Sequence, residues 1–531
     1  MRRRQFIQTT IGAALLGRGL SGCHPPQPIP GRMLGASAAL GHKLRSGITA
    51  TPVRTEKVRT VIIGAGVSGL SAARQLHRQG HSDFILLDLE AEAGGNAAAG
   101  HNELSAYPLG AHYIPIPNND LSEYLGFLQE CGVLTGYTAD GLPEYREEFL
   151  CFDPEERLYI NGRWQEGLVP DYGLSPKDRS QVQRFLERME GFRKAAGRDG
   201  KEAFTLPVDR SSKDEIYTAL DGLTMKAWME QEGFTAPALH WYVDYCTRDD
   251  YGTVHAEASA WAGIHYFASR KGRAANAGSD DVLTWPEGNQ WLVRRLSEAL
   301  PAGTVRNRSL AYRLVPGPVV TVDVWDDARK ETYRIEAGGV VLALPLMAGS
   351  RLLQDPERIA RVHREVRYAP WMVAGLRVKP LEERSGAPMS WDNVIYGSAG
   401  LGYVSARHQL LGQHAGPYNL SYYLPLTGLE PAQERTQALR RSHAEWSELI
   451  LQDLQKVHPN IRSAIEEINI QVWGHAMAQP VPGRIHGPSR KALAQTSHPN
   501  LFYAHTDCAG ISLFEEAFYQ GIAAANGILN L

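Results

Sequence analysis

The sequence predicts an α/β fold of two intimately connected domains, and three observations carry that prediction. At 531 residues the chain exceeds what one hydrophobic core usually supports. A β-branched run, Val61-Ile62-Ile63, leads directly into a glycine-rich turn, and Leu70 to Arg78 beyond it has helical spacing. A second apolar run, Phe84-Ile85-Leu86-Leu87, then ends on an acidic residue, Asp88. Strand, tight turn, helix and strand in this order form a buried βαβ unit with a parallel pair of strands.

Composition narrows the possible functions. Hydrophobic residues make up 43% and charged residues 21%, and the net charge of -3 supplies no broad basic surface for nucleic acid, which leaves a small molecule as the expected partner. The cysteines, Cys23, Cys131, Cys151, Cys246 and Cys508, have neither CxxC spacing nor the density of a disulfide scaffold, so no metal site is expected from them.

Taken in chain order, the first segment reads as an address. Arg2, Arg3 and Arg4 precede Gln5-Phe6-Ile7 and a short apolar stretch from Ile11 to Leu16, a pattern that resembles a twin-arginine export signal. Leu20-Ser21-Gly22-Cys23 resembles a lipobox, which implies cleavage before Cys23 and a lipid anchor on it. The expected partner is the twin-arginine export machinery, and the expected location is beyond the cytoplasmic membrane, periplasmic or membrane-anchored. From His24 to Lys57 the chain is rich in Pro, Gly, Ala and Ser without sustained periodicity, and residues 24–57 are expected to be a flexible tether.

Gly64-Ala65-Gly66-Val67-Ser68-Gly69 is a GxGxxG string in the context that gives it meaning, a strand before and a helix after. Gly64 permits the tight turn and Gly66 lets backbone approach a pyrophosphate. Gly69 allows helix to pack closely on strand, with the helix N-terminus aimed at the phosphate charge. Asp88, about twenty residues beyond the glycines, suits a ribose hydroxyl acceptor. These features point to a Rossmann-like dinucleotide site.

The sequel Glu90-Ala91-Glu92-Ala93-Gly94-Gly95-Asn96 resembles the GG motif of the superfamily of flavin-containing amine oxidases, phytoene desaturases and protoporphyrinogen oxidases. The resemblance implies FAD, held noncovalently, with Gly94 and Gly95 letting amides reach its pyrophosphate. An arginine commonly follows in the family; Asn96 stands there in this chain, removing a charge-assisted phosphate contact. Leu109-Gly110-Ala111-His112-Tyr113 resembles the family's second flavin-contacting loop, with Gly110, Ala111 and His112 as candidate contacts.

The likeness extends along the chain. Trp285-Pro286-Glu287-Gly288-Asn289 with Leu292 and Leu296 resembles the family's glycine turn and helix. Gly339 to Pro345 resembles its apolar strand, and Val305 to Leu314, with Leu310 as the contact residue, its strand near the adenine. Leu501 to Asp507, followed by Glu515, Glu516, Ala517 and Gly521, resembles the closing motif, where Asp507 is the candidate acid for the ribityl-phosphate portion; His505 stands where the family usually has glycine. The expected architecture is therefore a discontinuous Rossmann-like FAD-binding domain (58–116, 269–346 and 471–531) with an inserted α+β substrate domain (117–268 and 347–470) behind the signal at 1–23. Lys177 to Arg193 and Trp241 to Asp249 have helical character, while Trp371 to Val378, Leu401 to Val404 and Tyr418 to Pro425 read as antiparallel strands walling a cavity.

The family's chemistry implies hydride transfer to the flavin, so the protein mainly orients the donor carbon and needs no nucleophile of its own. The implied reaction is oxidation of an amine to an imine that water hydrolyses; the alternative is desaturation or isomerisation at a C–C bond of an apolar substrate. The catalytic candidates are Trp473, as an aromatic wall, and His475, as a substrate ligand or proton carrier. Of Tyr422 and Tyr423 only one can face the cavity, because strand side chains alternate. Asp249-Asp250 is an acid pair suited to a cation, Lys379 ends an otherwise apolar strand after Arg377, and Cys508 does not match the position of a flavin-linking cysteine.

Overall fold

In the computed structural model, residues 28–531 are described, except 411, 413–415 and 497. The export signal and the Cys23 anchor lie outside the described residues. Among the described residues no helix is long and apolar enough to cross a membrane.

The βαβ unit forms as its residues dictate. The strand Thr55–Ile63 alternates in burial over its first half and is continuously buried from Thr60 onward, where Phe84–Leu87 lies parallel on one side and Glu331–Leu342 parallel on the other. Its sheet runs in the order Val305–Arg306, Phe84–Leu87, Thr55–Ile63, Glu331–Leu342, Val320–Asp326, Ser309–Val315, with Leu501–Tyr503 added in parallel against Glu331–Leu342. The helix Val67–Arg78 buries nearly its whole circumference because it is sandwiched between this sheet and the C-terminal helix Phe514–Leu529. The two helices touch where a Cβ on Gly521 would lie 2.2 Å from the Ser68 carbonyl oxygen, so glycine sets their separation. Three stretches of chain far apart in sequence thus complete one domain.

The second sheet has eight strands, in the order Gly31–Gly35, Ile465–Ala478, Tyr368–Val378, Tyr418–Pro425, Gly402–Ser405, Asp392–Ile395, Glu156–Ile160, Arg163–Glu166. Its central strands are buried on both faces. Met372, Ala374, Leu376 and Val378 pack with Trp446, Ile450 and Leu454 of the helix His443–Leu454. The alternate residues Ala369, Trp371 and Val373 face an aromatic cluster on the other side. The helices Pro176–Arg193, Pro237–Tyr251 and Ala260–Ala268 pack together around Phe185, Val243 and Trp261.

Three boundaries differ from the sequence reading. Residues 31–57 are not a tether: Gly31–Gly35 pairs in parallel with Ile468–Val472 at the sheet edge, and Leu40, Leu44 and Ile48 join an apolar cluster with Leu310 and Tyr312. The edge strand offers unpaired backbone groups, which any sequence can meet, so composition carried no sign of the pairing. Residues 347–366 belong with the first domain, because Leu346, Leu352, Val362 and Val366 pack on its sheet. Residues 471–478 belong to the second, because Ile465–Ala478 is one continuous strand beside Tyr368–Val378.

Candidate active site

The glycine turn sits at the C-terminal end of Thr55–Ile63. Gly64 has φ +105°, and a Cβ there would lie 2.1 Å from the Ala343 carbonyl oxygen; a Cβ on Gly69 would lie 1.8 Å from the Gly64 oxygen. Gly66 differs from both. A Cβ there meets no atom within 4 Å, and the Gly95 Cβ position has only the Gly66 Cα near it, at 3.5 Å. Gly66 and Gly95 therefore face a shared space that no side chain fills. The first intrahelical bond runs from Leu70 N–H to the Gly66 oxygen at 3.0 Å, so the amides before Leu70, including that of Ser68, lie at the helix end bordering this space. An unfilled cradle beside a helix N-terminus suits a diphosphate.

Ala65 ties the motif together: its N–H donates to Asp88 Oδ2 at 2.6 Å and its carbonyl accepts from Gly94 N–H at 3.0 Å. The other Asp88 oxygen accepts from Glu90 N–H at 2.7 Å. Burial raises the Asp88 carboxyl to about 6, against the pull of these two amides. Asn96 turns away from a phosphate role, since its side-chain amide donates to the Ala476 carbonyl while its own carbonyl accepts from Ala111 N–H at 2.9 Å.

The loop 108–112 is held by the second sheet. Ser421 Oγ donates to the Pro108 oxygen at 2.7 Å, Tyr423 Oη to the Gly110 oxygen at 3.0 Å and Trp473 Nε1 to the Leu109 oxygen at 2.7 Å. A Cβ on Gly110 would lie 1.9 Å from the Asn96 oxygen, so this loop is packed against the glycine pair, with the Ala111 side chain left exposed. Tyr423 is the residue of its pair that faces the site; Tyr422 points to the opposite face and donates to Asp453 Oδ2 at 2.9 Å.

Leu310 is buried with Leu40 and Tyr312, while its neighbour Ser309 donates from its backbone N–H to the Asp88 carbonyl at 2.7 Å. Asp507 is turned inward: its Oδ2 accepts from Leu346 N–H at 2.8 Å and Tyr368 Oη at 2.5 Å, and Oδ1 lies 3.1 Å from His505 Nδ1. Burial alone would raise this carboxyl, but His505 and these donors hold it below its ordinary value. The Cys508 thiol is buried in the apolar cluster with Leu346 and Tyr503, which pushes it up to about 12. Arg377 pairs with Glu103 and Glu466, and Lys379 lies 3.7 Å from Glu466.

The two catalytic candidates part company. Trp473 lies in the aromatic cluster with Trp371 and Tyr423. A register shift between Ala369 and Trp371 interrupts the alternation beyond it, and His475 packs edge-on to Tyr368, ring centroids 5.7 Å apart. His475 is pulled down to about 4 by burial and then by Arg435, Arg45, His363 and His42.

Beyond the loop 108–112 lies a packed cluster that combines aromatic rings with carboxylates. His112 packs against Tyr423, Tyr113 and Trp391 with centroids 4.6, 5.1 and 5.5 Å apart. Tyr113 Oη is 3.4 Å from Asp249 Oδ2, and Tyr245 Oη is 3.3 Å from Asp392 Oδ2. Burial pushes Asp392 well up, with Glu156 and Asp249 adding to it, and pushes Glu156 up to about 7, although Glu156 keeps an exposed edge. Asp249 is raised by burial first and then by the charge on Asp250. Asp250 carries its charge against Arg270, at 2.7 and 2.9 Å. Burial lowers His112 to about 4, against its bond to the Gly110 carbonyl, so the ring is neutral near pH 7. Burial thus makes these acids hold their protons more firmly than usual, and a cation seated among them would favour their charged forms. Glu156 and Asp392 escaped sequence reasoning because they sit on separate strands with no motif around them.

The family described as flavin containing amine oxidoreductase matches residues 67–529. Among solved structures, a putrescine oxidase double mutant made to redesign cofactor binding is 16% identical, with a TM-score of 0.65, over 90% of this chain and 100% of that one. Cyclohexylamine oxidase from Brevibacterium oxydans IH-35A is 15% identical with a TM-score of 0.62, over 90% and 99%. A fatty acid isomerase from P. acnes is 16% identical with a TM-score of 0.59, over 88% and 98%. At these identities the structures speak for a shared fold, in agreement with the discontinuous Rossmann-like domain and inserted α+β domain described above. By the family match over most of its length, the chain belongs to the flavin-containing amine oxidoreductases and is a flavin oxidoreductase.

Proposed function

We propose that the protein oxidises a cationic amine at its CH–NH group, with noncovalently bound FAD. The observation that carries this reading is the cluster of acids and aromatic rings: Asp249, Asp392 and Glu156 beside Tyr113, Trp391 and Tyr423. Aromatic faces and carboxylates together favour an ammonium and oppose a carboxylate. A polyene has no use for such acids.

Gly66 and Gly95 would border the FAD pyrophosphate, Asp88 would take ribose hydroxyls on its free lone pairs, and Gly110 and Ala111 would lie against the isoalloxazine. Asp507, whose carboxylate is spent on Leu346, Tyr368 and His505, serves as a brace for the turn rather than as a direct ligand. The buried Cys508 thiol supports noncovalent attachment. Bound flavin supplies a hydride acceptor.

The chain's own residues do the rest. Tyr423 and Trp473 fix the loop 108–112, so the aromatic wall and the loop keep a constant distance. An ammonium must shed a proton before its carbon can release hydride. Asp249, whose raised proton affinity lies closer to neutrality than an ordinary carboxylate's, accepts that proton at Oδ2 beside the Tyr113 hydroxyl. Loss of the hydride and the remaining N–H proton leaves an imine, which water converts to a carbonyl compound and ammonia or a shorter amine. Export by the twin-arginine route, with a lipid anchor on Cys23, is part of the same reading, since a folded, cofactor-loaded enzyme suits that route.

The test is anaerobic bleaching of the flavin across polyamines, aromatic amines, amino acids and polyenes. Cationic amines without a carboxylate are expected to bleach it. Bleaching by polyenes alone would overturn the amine assignment and leave the flavin assignment standing.

A further inference from the structure

The segment expected to be a tether instead packs along elements that border the glycine cradle. Leu34 packs with Tyr107 and Leu109, immediately before the loop at Gly110. Ser37 comes next, donating from both N–H and Oγ to Glu90 at 2.8 Å each, over the approach to the glycine pair. Leu40, Leu44 and Ile48 then join Leu89 and Leu310, beside Asp88. The chain thus passes over the flavin-contacting loop first and the ribose-adenine end last.

Its second helical turn, Lys43–Ser46, which carries Arg45, packs against the helix Leu346–Leu352, which carries Arg351, at the edge of a group of cations. Arg351 lies 3.0 Å from His363 Nε2, Arg435 donates to the Gly474 carbonyl at 3.1 Å, and His475 follows directly. The side-chain amide of Asn96, the residue after the glycine pair, is bonded to the next carbonyl, that of Ala476, which ties this stretch to the pair. The charges acting on Arg351, Arg435 and His475 are themselves positive: Arg45 lowers both arginines after burial does, and Arg435 and Arg45 lower the histidine. Like charges gathered at a domain seam repel one another, and a dianion between them would reverse the sign of that interaction. Asn96 leaves unfilled the charge that an arginine there would bring to the pyrophosphate.

We propose that residues 31–46 form a strap closed over the cofactor crevice, and that Arg45, carried on the strap, joins Arg351 and Arg435 in holding the pyrophosphate of bound FAD. The proposal rests on the FAD reading above. FAD then binds before the strap seats, and leaves only when the Ser37–Glu90 latch and the Arg45 contact open together.

Release of FAD from the full-length holoprotein into an excess of a flavin-free trap protein tests this, together with binding of FAD and of riboflavin, which lacks phosphate, to the stripped protein. Arg45→Ala and Arg435→Ala should each speed FAD release about tenfold, the scale of one charge-assisted phosphate bond, and Arg45→Lys should retain most of the hold. Ser37→Ala should speed release several-fold. Riboflavin affinity should change less than twofold in all of them. Release rates unchanged by Arg45→Ala and Arg435→Ala, or riboflavin weakened as much as FAD, would overturn the strap and its cations while the FAD reading stands. Failure of the unaltered protein to bind any flavin would instead remove the reading beneath it.

Discussion

Replacing Gly66 with valine separates a cofactor cradle from an ordinary tight turn. The Gly66 backbone is extended, at φ -75° and ψ -176°, a conformation open to any residue, and its Cβ position meets no protein atom within 4 Å. Valine therefore costs the empty protein little. A weaker helix cap is offset by a less flexible unfolded chain, each worth about 0.5–1 kcal/mol, so the flavin-free melting temperature should move by no more than about 2 °C. The methyl groups enter the space shared with Gly95. Pushing a diphosphate off the amides there loses about two hydrogen bonds to a charged group, roughly 1.5–3 kcal/mol apiece, or about 10²–10⁴ in affinity. Titration of FAD into stripped protein, followed by flavin fluorescence, measures this directly. A Gly66→Val protein with unchanged melting temperature and FAD affinity within about threefold of the original would refute the cradle.

Gly69→Ala should show the reverse pattern: its Cβ would lie 1.8 Å from the Gly64 oxygen, so the helix must shift and thermal unfolding should report a loss of about 1–3 kcal/mol even without FAD. Asp249→Asn should raise KM for cationic amines at least tenfold, since it removes a carboxylate of the acid cluster. Its effect on stability carries a sign. A buried acid whose proton affinity is raised keeps its proton in the folded state where the unfolded chain has lost it, so its contribution falls as pH rises from about 4 through its folded value. Asp249→Asn should accordingly match the original protein near pH 4 and melt higher than it at pH 8; equal melting at both would argue against a burdened carboxyl. Arg3→Lys with Arg4→Lys keeps the charge but alters the guanidinium geometry, and export should drop sharply. Cys23→Ala should release the protein from membranes without loss of FAD; an original protein recovered wholly from cytoplasm with its N-terminal segment intact would end the export reading.

What the sequence made legible was local. The glycine turn, Asp88 and the glycine pair lie within 33 residues, and each demands a residue type that only its backbone geometry explains. Strand alternation likewise separated Tyr423 from Tyr422. The cluster was hidden because Tyr113, Glu156, Asp249 and Asp392 come from four elements that meet only after the sheet of eight strands closes against the helices. The sequence offered Asp249-Asp250 as one acid pair suited to a cation, with no sign that Arg270 would take Asp250 and leave Asp249 to the cluster. The strand Gly31–Gly35 was invisible for another reason: it pairs through backbone alone, and Gly-Arg-Met-Leu-Gly carries no alternation to announce it. His475 lies where a register shift breaks the alternation and packs edge-on to Tyr368, a placement that period-2 reasoning passes over.

The visible spectrum of the purified protein, taken before and after denaturation, bears most directly on the central claim. The protein should be yellow, denaturation should release FAD into the supernatant, and the remaining chain should have the mass of the polypeptide without flavin. Added FAD should rebind to stripped protein and raise its melting temperature. Protein that releases no flavin, and whose melting temperature added FAD leaves unmoved, would contradict the account.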